Sequence, residues 1–186
     1  MIIFFGPAGA GKSVQGQILS ARHGWRWLSA GQLLRDTHDP EIIHQLHTGE
    51  LIDVTTVNSI MKDALVKAKD LDHVILDGYP RQIEQARWLV ESQPHHERDV
   101  KMIVVLEVPK SEILRRLQVR GRADDTSEAI EKRLTIYRKE IYPILDYFTE
   151  EGVYIVHIDG TGTVGQVHDR IEAELVAHGL VEGAGA

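Results

Sequence analysis

A chain of 186 residues, 42% hydrophobic and 26% charged, has room for one domain with a core and not for two ordinary ones. Its net charge of −7 is the wrong sign for a nucleic-acid polymer partner. The lack of cysteine excludes disulfides, thiolate zinc sites and cysteine nucleophiles.

In chain order, Ile2–Phe5 reads as a buried strand, followed by a helical pattern over residues 13–22. Residues 26–28 form a weaker strand, and 73–77, 101–108 and 153–157 form further apolar runs rich in Val, Ile or Phe. Most lack strict alternation, as expected of parallel strands covered on both faces. Asp39-Pro40 has the form of a helix start, a capping carboxylate with Pro at the first helical position. Val54–Lys67 is amphipathic, with Val57, Ile60, Met61 and Leu65 on one face. Helices are expected over 81–91 and 110–119. The longest covers 126–148, where Ile130, Leu134, Tyr137, Ile141, Leu145 and Phe148 recur at helical spacing and Pro143 is expected to bend it. A last helix covers Val164–Ala177, and 181–186 are expected to be a disordered tail. Strands alternating with helices predict an α/β domain over 1–180 with a five-stranded parallel sheet. The longest apolar runs, 1–5 and 102–106, are too short to span a bilayer, and the first has no basic flank. A cytoplasmic location without membrane contact is expected.

Gly6-Pro7-Ala8-Gly9-Ala10-Gly11-Lys12-Ser13 matches G-x-x-x-x-G-K-[ST] at every fixed position, between an apolar strand and a helix. Such a loop turns backbone N–H groups toward phosphate oxygens, and the helix N-terminus adds partial positive charge. Lys12 can reach the outer phosphates of a triphosphate and the Ser13 hydroxyl can ligate Mg²⁺. Gly9, Ala10, Gly11 and Val14 complete this stretch.

Asp77 follows a strand and can hold Mg²⁺ through its waters. It also suits a turn, since Gly78 and Pro80 follow. Arg35, Arg81, Arg120, Arg122 and Arg133 lie after Gly-rich turns or on the long helix. Guanidinium groups pair with phosphate oxygens, and phosphoryl transfer needs positive charge on the transferring group.

These motifs, in this order, resemble the adenylate kinases among the nucleoside monophosphate kinases, from Ile2 to about Ala177. Gly6–Lys12 and Gln15 match the family's phosphate loop. Ser29-Ala30-Gly31-Gln32-Leu33-Leu34-Arg35 is similar to S-T-G-D-x-x-R, and Gly49-Glu50-Leu51-Ile52 to G-x-L-V/I. Asp77 through Gln85 fits D-G-F/Y-P-R-x-x-x-Q, and Arg122-Ala123-Asp124-Asp125 fits R-x-D-D. Asp159-Gly160-Thr161-Gly162 resembles the turn beside the ATP base.

The resemblance implies a phosphate-loop kinase fold with an acceptor-binding insert near 29–54 and a minimal lid near 120–126. It implies that Lys12 and the loop amides bind the ATP phosphates, with Arg120 and Gly160 on the ATP side. Ser29, Ala30, Arg35, Leu51, Ile52, Gly78 and Arg81 would bind the monophosphate, and Gln85 would read its base. Arg120, Arg122 and Arg133 would close over the phosphates, Asp77 would position Mg²⁺, and Asp124 would help hold the lid. Asp125 has a site role or a helix-capping role, three residues before Glu128. The implied partners are ATP and a nucleoside monophosphate, the cofactor is Mg²⁺ without zinc, and the working unit is a monomer.

This chain departs from the family in several places. Ala30 stands for Thr, Gln32 for Asp, and Ser13-Val14 for Gly-Thr. The insert over 36–51 is trimmed, and Arg120-Gly121-Arg122 is shorter than the short-lid pattern R-G-x-x-S-G-R. Of the ten histidines, His95-His96 and His44/His47 come nearest to metal-ligand spacing, but no carboxylate or further His completes either, and both pairs are read as surface. Trp25, Trp27 and Trp88 are assigned to packing, and Arg115-Arg116 to a solvated helix face. The expected reaction is ATP + AMP = 2 ADP. The alternatives are a pyrimidine-preferring or broad monophosphate kinase, a small-metabolite kinase, or a nucleotide-binding regulator without turnover.

Overall fold

A computed structural model describes residues 1–122 and 125–182. Asp124, and the last residues of the expected tail, lie outside them.

The chain begins with β1 (Ile2–Phe5) and α1 (Lys12–His23), then β2 (Arg26–Ser29), α2 (Ala30–Asp36), α3 (Pro40–Thr48) and α4 (Val54–Lys67). Next come β3 (Val74–Asp77), α5 (Ile83–Glu91), α6 (Gln93–His96), β4 (Met102–Glu107) and α7 (Lys110–Arg120). α8 (Ser127–Glu150), β5 (Tyr154–Asp159) and α9 (Val164–Ala177) complete it. The strands form one five-stranded parallel sheet, as the alternating pattern predicts, and their order is β2-β3-β1-β4-β5.

The central strand explains why the apolar runs are continuous. Ile3 and Phe5 enter one core with Leu34 of α2, Met61 and Leu65 of α4, Leu89 of α5 and Phe148 of α8. Ile2 and Phe4 point the other way, to Leu19 of α1 and to Val167, Ile171 and Leu175 of α9. Period-two side chains under helices on both faces leave no position for a polar residue. Each such fully buried Ile, Leu or Phe contributes roughly 1.5–3 kcal/mol. Ile113 and Leu117 of α7 pack separately on Ile130 and Leu134 of α8. Leu180 and Val181 pack on the second core, so the packed chain reaches one residue into the expected tail.

Two helices were not expected. α2 follows directly from β2, with the Ser29 hydroxyl accepting from Gln32 N as its N-cap. α6 is a single turn containing Pro94. At α8 the cap is Thr126, whose side chain accepts from Ala129 N, so Asp125 does not take the capping role. Pro143 lies inside α8, which continues to Glu150. The carboxyl ends of the parallel strands share one edge of the sheet, where open α/β sheets bind ligands.

Candidate active site

The loop leaving β1 ends at Gly11, the N-cap of α1, with φ 104°. A side chain there would be strained, so the tight entry into the helix requires glycine. Lys12 Nζ donates to the carbonyls of Gly6 at 2.7 Å and Pro7 at 3.0 Å, folding the ammonium over the loop. Burial pulls its pKa down to about 8; Asp77 opposes the shift, and Arg81 and Arg120 add to it. Ser13 Oγ donates to Asp77 Oδ2 at 2.6 Å, and Trp27 Nε1 donates to the same oxygen at 3.3 Å.

The loop after β3 carries the second set of groups. Its Tyr79-Pro80 peptide is cis. The buried Tyr79 hydroxyl donates to Asn58 Oδ1 at 2.8 Å and Gln85 O at 3.3 Å, and burial pushes the phenol pKa up. Arg81 N donates to Gln85 Oε1 at 2.7 Å, and Arg81 Nε to Gly78 O at 2.9 Å. On α2, Arg35 Nη2 donates to Gln32 Oε1 at 3.3 Å, and Gln32 Nε2 to Asp36 Oδ1 at 2.7 Å.

Arginines from α7 and α8 face the loop. Arg116 Nε donates to Glu112 Oε1 at 2.7 Å, while its Nη1 and Nη2 donate to Ala10 O at 3.2 Å and Gly160 O at 2.8 Å. Arg120 Nε donates to Asp125 Oδ2 at 2.8 Å, and its Nη2 donates to Oδ1 of the same residue. Arg133 Nη1 lies 3.6 Å from Asp125 Oδ1, and Arg133 Nη2 donates to Leu46 O of α3 at 2.7 Å. The Asp125 side chain is only 3% exposed.

An open cleft of about 880 Å³ brings these groups together. It is lined by Gly9, Ala10, Gly11, Lys12, Ser13 and Val14 of the loop and the start of α1, by Asp77 and by Gly160. Ser29, Arg35, Gly78 and Arg81 line it from β2, α2 and the loop after β3, and Arg120, Arg122 and Arg133 from α7, the segment after it and α8. Leu51 instead lines an adjoining cavity of about 100 Å³, beside Gly49, Tyr137 and Ile141. Ala30, Ile52 and Gln85 are buried and line neither cavity. Ser13 Oγ and the Asp77 carboxylate are hard oxygen donors at the mouth of the loop, a set that suits Mg²⁺. Among the described residues, no three His, Cys, Asp or Glu side chains gather as a metal cluster.

A family model described as adenylate kinase matches residues 4–153. The chain belongs to the adenylate kinase family. It is 35% identical over 175 residues to an adenylate kinase of Mycobacterium leprae (strain Br4923), covering 91% of this chain and 95% of the relative. It is 34% identical over 182 residues to one of Synechococcus sp. (strain WH7803), covering 94% and 97%. With one of Porphyromonas gingivalis (strain ATCC BAA-308 / W83) it shares 33% over 184 residues, covering 91% and 92%.

Within this adenylate kinase fold, three residues have a larger part than the sequence implies. Arg116 is not on a solvated face: it bridges the loop and the turn after β5 through two carbonyls. Its i,i+4 spacing from Glu112 gave only a surface-pair signal. Trp27 packs against the second core as expected, and also bonds Asp77. Asn58, a polar residue of the otherwise apolar buried side of α4, anchors Tyr79.

Proposed function

We propose that the chain catalyses reversible transfer of the ATP γ-phosphoryl group to AMP, giving two ADP. The observation that carries this is one cleft lined both by the phosphate loop and by Arg35, Arg81, Arg120, Arg122 and Arg133. Arg35 from α2 and Arg81 from the loop after β3 come from elements other than the phosphate loop and α7, and suit a second phosphorylated substrate beside the triphosphate.

In this reading Lys12 neutralises the donor phosphates. With a pKa of about 8 it is still mostly protonated at neutral pH. Ser13 and Asp77 would hold Mg²⁺, which would supply positive charge near the donor phosphates. Arg35 and Arg81 take the acceptor phosphate. Arg120, Arg122 and Arg133 reach the transferring group from the other side, with Asp125 orienting Arg120 and Arg133. Gln85 acts on the acceptor side, where its side chain accepts from Arg81 N, and the acceptor base lies toward Leu51. No covalent intermediate is required, because in-line transfer rests on positioning and charge.

The family membership supports AMP as acceptor. Mg²⁺ as cofactor, a single chain as the working unit and a cytoplasmic location belong to the same proposal. The cysteine-free sequence suits a reducing compartment, and no described helix is long and apolar enough to cross a membrane. The test is a coupled assay with Mg·ATP and AMP, CMP, UMP or GMP in turn. AMP is expected to be fastest. Transfer to none of them removes the kinase reading, and a faster CMP or UMP rate replaces AMP as the acceptor.

A further inference from the structure

We propose that Trp27 is a positioning residue for the metal-binding end of the phosphate loop. Its indole N–H fixes the Asp77 carboxylate, and Asp77 in turn aims the Ser13 hydroxyl. The proposal rests on the reading that Ser13 and Asp77 hold the Mg²⁺ of the nucleotide.

The strand register makes the contact possible. In the parallel pair of β2 and β3, Ser29 stands beside Asp77 and Trp27 beside Ile75. Residues in register share a face, and alternate residues return to it. Trp27 and Asp77 therefore lie diagonally on the face that α1 covers.

α1 is notched to receive the ring. A Cβ on Gly16 would stand 2.6 Å from Trp27 Cδ1 and 3.0 Å from its Nε1, closer than packed atoms approach. The half-buried indole thus packs closely on the helix, and its N–H donates to Asp77 Oδ2, 3.3 Å away.

The same oxygen receives the Ser13 proton at 2.6 Å. A serine hydroxyl has one proton and two lone pairs. Once the proton is committed to Asp77, only lone pairs remain to face a cation. A carboxylate free to rotate would release that proton and leave the hydroxyl unaimed. The indole N–H is a donor only, so it cannot compete with Ser13 for the cation. Being neutral, it also leaves the negative charge of Asp77 available to metal-bound water.

The experiment is calorimetric binding of the β,γ-imido analogue of ATP, with Mg²⁺ and with excess EDTA, to the parent protein and to Trp27→Phe. The parent is expected to bind the analogue more tightly with Mg²⁺. In Trp27→Phe, folded by circular dichroism, that gain is expected to shrink about tenfold while metal-free affinity stays within about twofold. Gly16→Ala, which keeps the indole but pushes it from its notch, is expected to move the gain the same way. An unchanged Mg²⁺ gain in Trp27→Phe, or an equal loss with and without metal, overturns the proposal and leaves Trp27 as packing alone. Should Trp27→Phe not fold, Gly16→Ala decides by the same criterion. No Mg²⁺ gain in the parent protein defeats the metal reading itself, a result separable from the others.

Discussion

Asp125 Oδ2 accepts from Arg120 Nε at 2.8 Å, and a second bond joins Arg120 Nη2 to the other carboxylate oxygen. This side-on pairing fixes the plane of a guanidinium that lines the cleft. Asp125→Asn is expected to lower kcat by about 10²-fold, because Arg120 and Arg133 both lose an orienting carboxylate. The neighbouring cap gives the control. Thr126→Ala removes the bond to Ala129 N, and is expected to reduce stability by about 1 kcal/mol with kcat unchanged. Steady-state kinetics and thermal melts on both variants check the contrast. Equal kinetic effects would make Asp125 a structural residue only.

Lys12 sets an alkaline limit. Its pKa is lowered to about 8, so the ammonium is complete below that pH and is lost as pH rises through it. The value of kcat/KM for ATP, which reports the free enzyme, should therefore fall above pH of about 8. Lys12→Met should abolish transfer without unfolding the chain. Lys12→Arg should be slow but free of the alkaline fall, since guanidinium does not titrate there. A pH profile of the parent enzyme that is flat to pH of about 10 would refute this assignment.

Arg116 of α7 and Arg35 of α2 both line the cleft and should separate the two substrates. Arg116 joins Ala10 O to Gly160 O, and Arg116→Ala is expected to raise the KM for ATP about tenfold with little change for AMP. Arg35→Ala is expected to raise the KM for AMP about 10- to 100-fold and spare ATP. A bisubstrate kinetic analysis reads both. The opposite pattern would exchange the donor and acceptor roles of these two arginines.

Tyr79→Phe removes a buried hydroxyl and leaves Asn58 Oδ1 without its donor. An unsatisfied buried acceptor costs about 1–3 kcal/mol. In a domain of this size each kcal/mol corresponds to a shift in Tm of about 2–4 °C. The variant should melt several degrees lower while keeping kcat at saturating substrate. An unchanged melt would mean that water replaces the hydroxyl.

The sheet was legible because its strands are short apolar runs between helical patterns, and that alternation admits few topologies. The phosphate loop and the loop after β3 were legible because each is a contiguous stretch of sequence. What escaped was set by distance along the chain. Arg116 meets Ala10 and Gly160 only when α7 crosses the loop, and its sequence neighbours show nothing but a charge pair with Glu112. Trp27 meets Asp77 only through the register of β2 on β3. The α2 helix was hidden because Ser29 is both a cap and part of a recognised motif, and the motif reading took precedence. Asp125 was ambiguous for a related reason: Thr126 next to it satisfies the cap.

Arg133 touches two bodies at once. One end of its guanidinium lies beside Asp125, and the other donates to the last turn of α3 at Leu46 O. Lys132, its neighbour, pairs with Glu50 just beyond the same helix, at 3.0 Å. If the proposed site is correct, its donor side and acceptor side share this strut. A nucleotide that settles Arg133 on one side is then expected to favour binding on the other. By linkage such a benefit is mutual and equal in factor. Measured binding of each nucleotide with and without the other would show it as synergy.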